Sequence, residues 1–159
     1  MQLQFPVYGV EGEEAAFANR LVANAINSDE SALLVGHLVV FEPQKGSCKK
    51  LSKREQIESC SLGIVLWDGN RLEYESSGAL RILRRGRVYV HLYSDVSSAG
   101  EAVFVNFRTG GFGGKETAET MQLTQAFFLS AGKTGDVILL ELDLLREDLR
   151  DEDYQRTWL

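Results

Sequence analysis

The chain has 159 residues, 17 basic and 23 acidic, for a formal charge of −6, with 44% hydrophobic and 25% charged residues. That length suits one domain with a sizeable core, and the composition excludes wholesale disorder. The acidic balance excludes a nucleic-acid role carried by overall charge, because phosphate attraction scales with clustered Lys and Arg.

Residues 1–10 alternate Leu3, Phe5 and Val7 with Gln2, Gln4 and Pro6 before Tyr8 and Gly9. This is the pattern of an extended arm, since Pro6 cannot donate to a central ladder. Such an arm lies either on the edge of its own domain or on another subunit. Residues 13–27 place Phe17, Leu21, Val22 and Ala25 at spacings of three and four behind acidic residues, which predicts a helix. Asn19, Asn24 and Asn27 are poor helix-interior residues, so segment 1–31 reads as an arm that is extended or partly helical. Ala32 to Glu42, ALLVGHLVVFE, predicts a strand buried on much of both faces and stopped by Pro43. His37 inside it has no second histidine or acidic cluster placed with it and reads as a hydrogen-bonded structural residue.

Gln44 to Arg54 is a polar surface excursion carrying the basic cluster Lys49, Lys50, Lys53 and Arg54. Leu62 to Trp67 is an apolar run ended by the turn signal Asp68-Gly69-Asn70, and Arg71 to Tyr74 is predicted to return beside it as a β-hairpin. Gly63 leaves room for a close neighbour. In Ser77 to Phe107, Leu80, Ile82, Val88, Val90 and Leu92 share one face of an extended segment, and Arg81, Arg87, Tyr89 and His91 share the other. Asp95 to Gly100 supplies turn chemistry before Val103, Val105 and Phe107 resume the period of two, so these two strands are expected to pair as neighbours. The basic cluster Arg81, Arg84, Arg85 and Arg87 reads, like the first, as a solvated face or subunit interface.

Arg108 to Thr120, RTGGFGGKETAET, reads as a mobile loop. It fails as a phosphate loop, because Gly114-Lys115 is followed by Glu116 and Thr109 stands where the first glycine belongs. Met121 to Ser130 and Asp136 to Leu144 are predicted as a closing strand pair. The β domain then spans 32–144. The tail 145–159 offers Leu145, Leu149 and Tyr154 as a helical stripe and ends on Trp158, which needs a docking place on its own sheet or on a neighbour.

Catalytic constellations are lacking. His37 and His91 are far apart in strand patterns, and no serine sits in a G-x-S-x-G elbow, so no enzyme is expected. Cys48 and Cys60 lack the spacing for zinc and are too few for a disulfide scaffold; they read as thiols of a reducing cytoplasm. No metal or cofactor is expected. With no leader pattern and no run of roughly 18 apolar residues, neither export nor membrane insertion is expected.

Taken in order, the buried strand, "LGIVL", "LRRGRVYV", "AGEAVFVN", the Gly-rich loop and the closing pair cover residues 32–142. That succession resembles the head decoration or structural cement proteins of tailed bacteriophages; the tail from Leu145 departs from them. The expected fold is mainly β, a single compact β-barrel or β-sandwich of jelly-roll or tulip-like form. The resemblance implies binding to the outer surface of the virion capsid and bridging of major capsid protein subunits, after synthesis in the host cytoplasm. It also implies self-association, with a homotrimer favoured over a dimer. Candidate capsid contacts are Phe5, Val7, Tyr8, Phe17 and Trp158, because aromatic and apolar anchors dominate interfaces. Arg84, Arg85, Arg87 and Phe112 are candidates for the oligomer interface. The other class of reading is a small β module binding carbohydrate or peptide in an aromatic groove of Trp67, Tyr74, Tyr89 and Tyr93.

Overall fold

The computed structural model describes residues 9–145. Within them the chain forms β1 (Glu14–Ala15), β2 (Leu21–Asn27), β3 (Leu33–Leu34), β4 (Leu38–Glu42), β5 (Ser47–Lys50), α1 (Glu55–Ser59), β6 (Leu62–Val65), β7 (Glu73–Tyr74), β8 (Ala79–His91), β9 (Ala102–Asn106), β10 (Phe112–Gly113), β11 (Thr120–Phe128) and β12 (Val137–Asp143). The fold is mainly β, as its alternating and β-branched runs dictate.

β8 is the strand that both halves share. Along one edge it pairs with β12 from Val137↔His91 to Asp143↔Arg85, and along the other with β2 from Leu21↔Arg85 to Ile26↔Ala79. β1 continues that second edge at Glu14↔Val88. β6 meets β8 at Ile64↔Leu83, so the pairings β8, β2, β5, β4, β6 return to β8. On the far side β12, β11, β9 and β10 follow in order, and a bridge between Leu92 and Phe112 brings β10 back to the end of β8.

A bulge lets one strand serve two cores. Leu21 pairs with Arg85 but Val22 with Leu83, which leaves Arg84 as an extra residue on β8. Because side chains alternate with a period of two, one inserted residue exchanges the faces. Leu80 and Ile82 therefore join Ala25, Val39, Phe41 and Val65 in one core, while Leu83, Val88, Val90 and Leu92 join Leu123, Phe128 and Leu140 in the other. β4 is the wall between them: Val39 and Phe41 face the first core, Leu38 and Val40 the second. That placement explains the unbroken apolar runs of β4 and β6, whose strand residues are buried throughout apart from Glu42.

Several sequence expectations give way to longer-range pairing. Residues 13–27 are not helical: Leu21–Asn27 is a strand, because β8 offers a full row of backbone partners that a solitary amphipathic helix would forgo. The run 32–42 is broken at Gly36 and His37 into β3 and β4. The polar excursion contains β5, paired with β4 from Val39↔Lys50 to Glu42↔Ser47, followed by α1. Leu62–Val65 and Glu73–Tyr74 do not form a hairpin together; β6 pairs with β4 and β8, and β7 pairs with β3 at Leu33↔Tyr74. β8 and β9 are not partners, since β12 occupies the edge of β8 and β9 lies between β10 and β11. The closing pair stands, with Ala126↔Leu142 and Phe128↔Leu140 in register.

Candidate functional site

The outer face of β8, β12 and β11 gathers residues from distant parts of the chain. Beyond the bulge, odd-numbered residues of β8 from Arg85 onward, like those of β12, point away from the core, so the register Glu141↔Arg87 and Asp143↔Arg85 sets two acid–base pairs in adjacent rows. Arg87 Nε donates to Glu141 Oε1 at 2.8 Å, and Arg85 Nε lies 3.3 Å from Asp143 Oδ2. The Arg87 guanidinium carbon stands 5.6 Å from the Phe17 ring centre, a cation–π contact from the segment between β1 and β2. Phe127, paired with Glu141 on the next strand, is 41% exposed. Phe17, Arg85, Gln125, Phe127, Glu141 and Asp143 line a shallow groove of about 250 Å³.

The strip carries the kind of groups a recognition surface uses. Half-exposed ion pairs of this kind contribute about 0–1 kcal/mol to a fold, so stability is a weak reason for their presence. Two aromatic rings flanking paired guanidinium and carboxylate groups offer apolar anchors within a frame of directional hydrogen-bonding groups. Phe127 was absent from the sequence candidates, yet its signal was there: in a strand, consecutive Phe127 and Phe128 must face opposite ways, and Phe128 is buried.

A second polar cluster closes the end of the sheet. His37 is buried; its Nδ1 lies 2.7 Å from the Thr109 carbonyl, and its Nε2 is 3.2 Å from the Tyr93 hydroxyl and 3.5 Å from Glu11. This is the hydrogen-bonded structural histidine expected from the sequence. Burial of its hydroxyl end, and then the Glu11 carboxylate, hold the Tyr93 phenol above its ordinary value. A cleft of about 360 Å³ lies under the β4–β5 tip beside Cys60, where Glu42 engages both Lys45 and Lys49. Among the described residues, no group of three or more His, Cys, Asp or Glu side chains is arranged to hold a metal ion.

The remaining sequence candidates fall in different places. Phe17, Arg85 and Arg87 come together in the strip. Arg84, only 2% exposed, donates from Nε to the Leu62 carbonyl at 2.7 Å and lies over the Phe41 ring, so its side chain is used inside the chain and not offered to a second subunit. Phe112 is 1% exposed and packs in the second core, which likewise removes it from any outer surface. Phe5, Val7, Tyr8 and Trp158 lie outside the described residues, as does the tail beyond Leu145. Trp67, Tyr74, Tyr89 and Tyr93 do not make one aromatic groove. Tyr74 is buried with its hydroxyl donating to Leu66 O, and Trp67 packs against the same core. Tyr89 covers Gly9, and Tyr93 stacks on His91.

Residues 1–143 match the family described as Structural cement protein (E217 gp24/Pam3 gp6), and the chain belongs to that family. A solved structure described as the capsid of Myoviridae phage XM1 shares the fold, with a TM-score of 0.65 over 84% of this chain and 89% of that chain at 17% identity. The head fibre gp8.5 N base of bacteriophage phi29 gives a TM-score of 0.44 at 7% identity, covering 77% of this chain and 95% of that one. No curated protein matches the sequence. Family membership gives the chain a structural, non-enzymatic role associated with the phage capsid.

Proposed function

We propose that this protein binds the outer surface of the assembled phage head and stabilises it by bridging neighbouring major capsid protein subunits. The observation that carries this reading is the strip on β8, β12 and β11, where Phe17 and Phe127 frame the Arg85–Asp143 and Arg87–Glu141 pairs on an open sheet face. Burying the exposed part of an aromatic ring contributes on the order of 1 kcal/mol, a small amount per copy. Repeated over a lattice in which each copy touches more than one subunit, small contributions multiply into resistance to internal pressure. The N-terminal residues Phe5, Val7 and Tyr8, with Trp158 in the tail, add apolar anchors. Copies associate with one another, as homotrimers at three-fold positions in preference to dimers at two-folds.

The test is binding of the Phe17→Ala/Phe127→Ala double variant to emptied heads. Both side chains lie on the outer face, so the melting temperature is expected to move little while head affinity falls at least ~10-fold. Unchanged affinity in a folded double variant would remove the strip from the contact.

A further inference from the structure

We propose that the edge of β2 is completed by the N-terminal arm, residues 1–8, of a second copy of this chain. This goes beyond capsid binding, and either can fail while the other stands.

The backbone of β2 shows the opening. Odd-numbered residues bond to β8, as Asn27 N–H does to Gly78 O, so even-numbered N–H groups point the other way. Ile26 N–H finds Gly46 O there, and β5 pairs with β2 at Ile26 and Asn27 alone. Among the described residues, none pairs with the outward groups of Val22 and Asn24. A strand edge of this kind is a template for an added strand.

The arm fits the template chemically. In MQLQFPVY, Leu3, Phe5 and Val7 alternate with Gln2, Gln4 and Pro6. If the odd-numbered amides pair with β2, Pro6 falls on the side where no donor is needed, the one position in an added strand that tolerates it. The apolar odd residues then share a face, as partners for the exposed Ile26 side chain at the end of β2.

Reach assigns the arm to another copy. The chain runs antiparallel along β8, from Gly9 against the Tyr89 ring, through Glu14↔Val88, to Asn24↔Arg81. Its own arm therefore starts beside Tyr89, and the open edge lies opposite Leu83 and Arg81. Those positions are six and eight residues away, about 20 and 26 Å along the strand. Eight fully extended residues span at most about 29 Å, so an arm that doubled back would spend nearly all its length arriving, with little left to pair.

The test is amide exchange on an isotope-labelled variant lacking residues 1–8, alone and mixed with unlabelled full-length protein. The inference predicts that full-length protein slows exchange at Val22 and Asn24 at least ~10-fold, while Ala23 and Ala25, already bonded to β8, stay slow throughout. Unlabelled truncated protein should have no effect. Protection confined to full-length molecules, independent of concentration and never conferred on the labelled variant, would mean that each arm serves its own chain and would overturn the inference. Fast exchange at Val22 and Asn24 in concentrated full-length protein would overturn it equally.

Discussion

Gly110 and Leu38 are in backbone contact: Leu38 N–H donates to Gly110 O at 2.9 Å, and a Cβ on Gly110 would lie 2.3 Å from the Leu38 carbonyl oxygen. Gly110 also has φ +79°, in the left-handed region. The Gly-rich segment is thus pinned across β4 instead of swinging free, and its neighbour Phe112 drops into the core.

Gly110→Ala is therefore expected to destabilise the fold by about 2 kcal/mol or more, combining left-handed backbone strain with a contact that backbone atoms cannot relieve. Urea denaturation measures it. Gly46→Ala is the control: it shares a positive φ of 63° but meets nothing within 4 Å, so it should lose only about 1 kcal/mol.

Arg84 ties β8 to β6 through the Leu62 carbonyl and covers Phe41. Arg84→Ala removes the donor and the packing together and is expected to cost about 2–4 kcal/mol. Arg84→Met, which keeps the length of the side chain, should recover part of that loss in the same denaturation series.

Asp95 accepts hydrogen bonds from Thr134 N–H at 2.7 Å and Thr134 Oγ1 at 2.9 Å, which hold its carboxyl below the ordinary value of 3.8. A carboxyl depressed in the folded state contributes stability above its unfolded value, and that contribution is lost as pH falls through the folded value. Asp95→Asn should accordingly flatten the decline of melting temperature below pH of about 4 while leaving the slope near neutrality unchanged. An acid limb identical in both proteins would show that the Asp95–Thr134 clamp does not take part.

Cys48 is fully buried, and burial, followed by the Asp29 carboxylate, pushes its thiol up to about 12. Cys60 is partly exposed on the cleft beside α1. Native protein at mildly alkaline pH should take up one alkylating group, at Cys60, and denatured protein two, as read by mass spectrometry.

How much of this was legible beforehand depends on the range of the interaction. The alternation of Leu80 and Ile82 against Arg81, and of Val88, Val90 and Leu92 against Arg87, Tyr89 and His91, holds within each half of β8 because side-chain direction is local, but the bulge at Arg84 puts the two apolar sets on opposite faces instead of the single face expected. Its partner was misread, since turn chemistry at Asp95 to Gly100 favours the next strand, while the sheet joins β8 to β12, some fifty residues along the chain. Spacings at Phe17, Leu21, Val22 and Ala25 fit a helix as well as they fit β2, and only the waiting edge of β8 decides between them. Gly63 was read correctly as a place of close approach: an added Cβ would lie 2.7 Å from Ile82. For the candidate site, Phe17, Arg85 and Arg87 were named separately for two different interfaces, and register alone brings them together beside Phe127. Arg84 and Phe112 were misjudged because a bulge and a backbone contact turn them inward, and neither leaves a mark on periodicity.

The most direct test of the central claim is co-sedimentation of the purified protein with the phage's own emptied, expanded heads and, in parallel, with unexpanded proheads. Saturable binding to expanded heads, reduced by Phe17→Ala/Phe127→Ala, is the predicted result. Absence of binding to either particle by the folded wild-type protein would contradict the account.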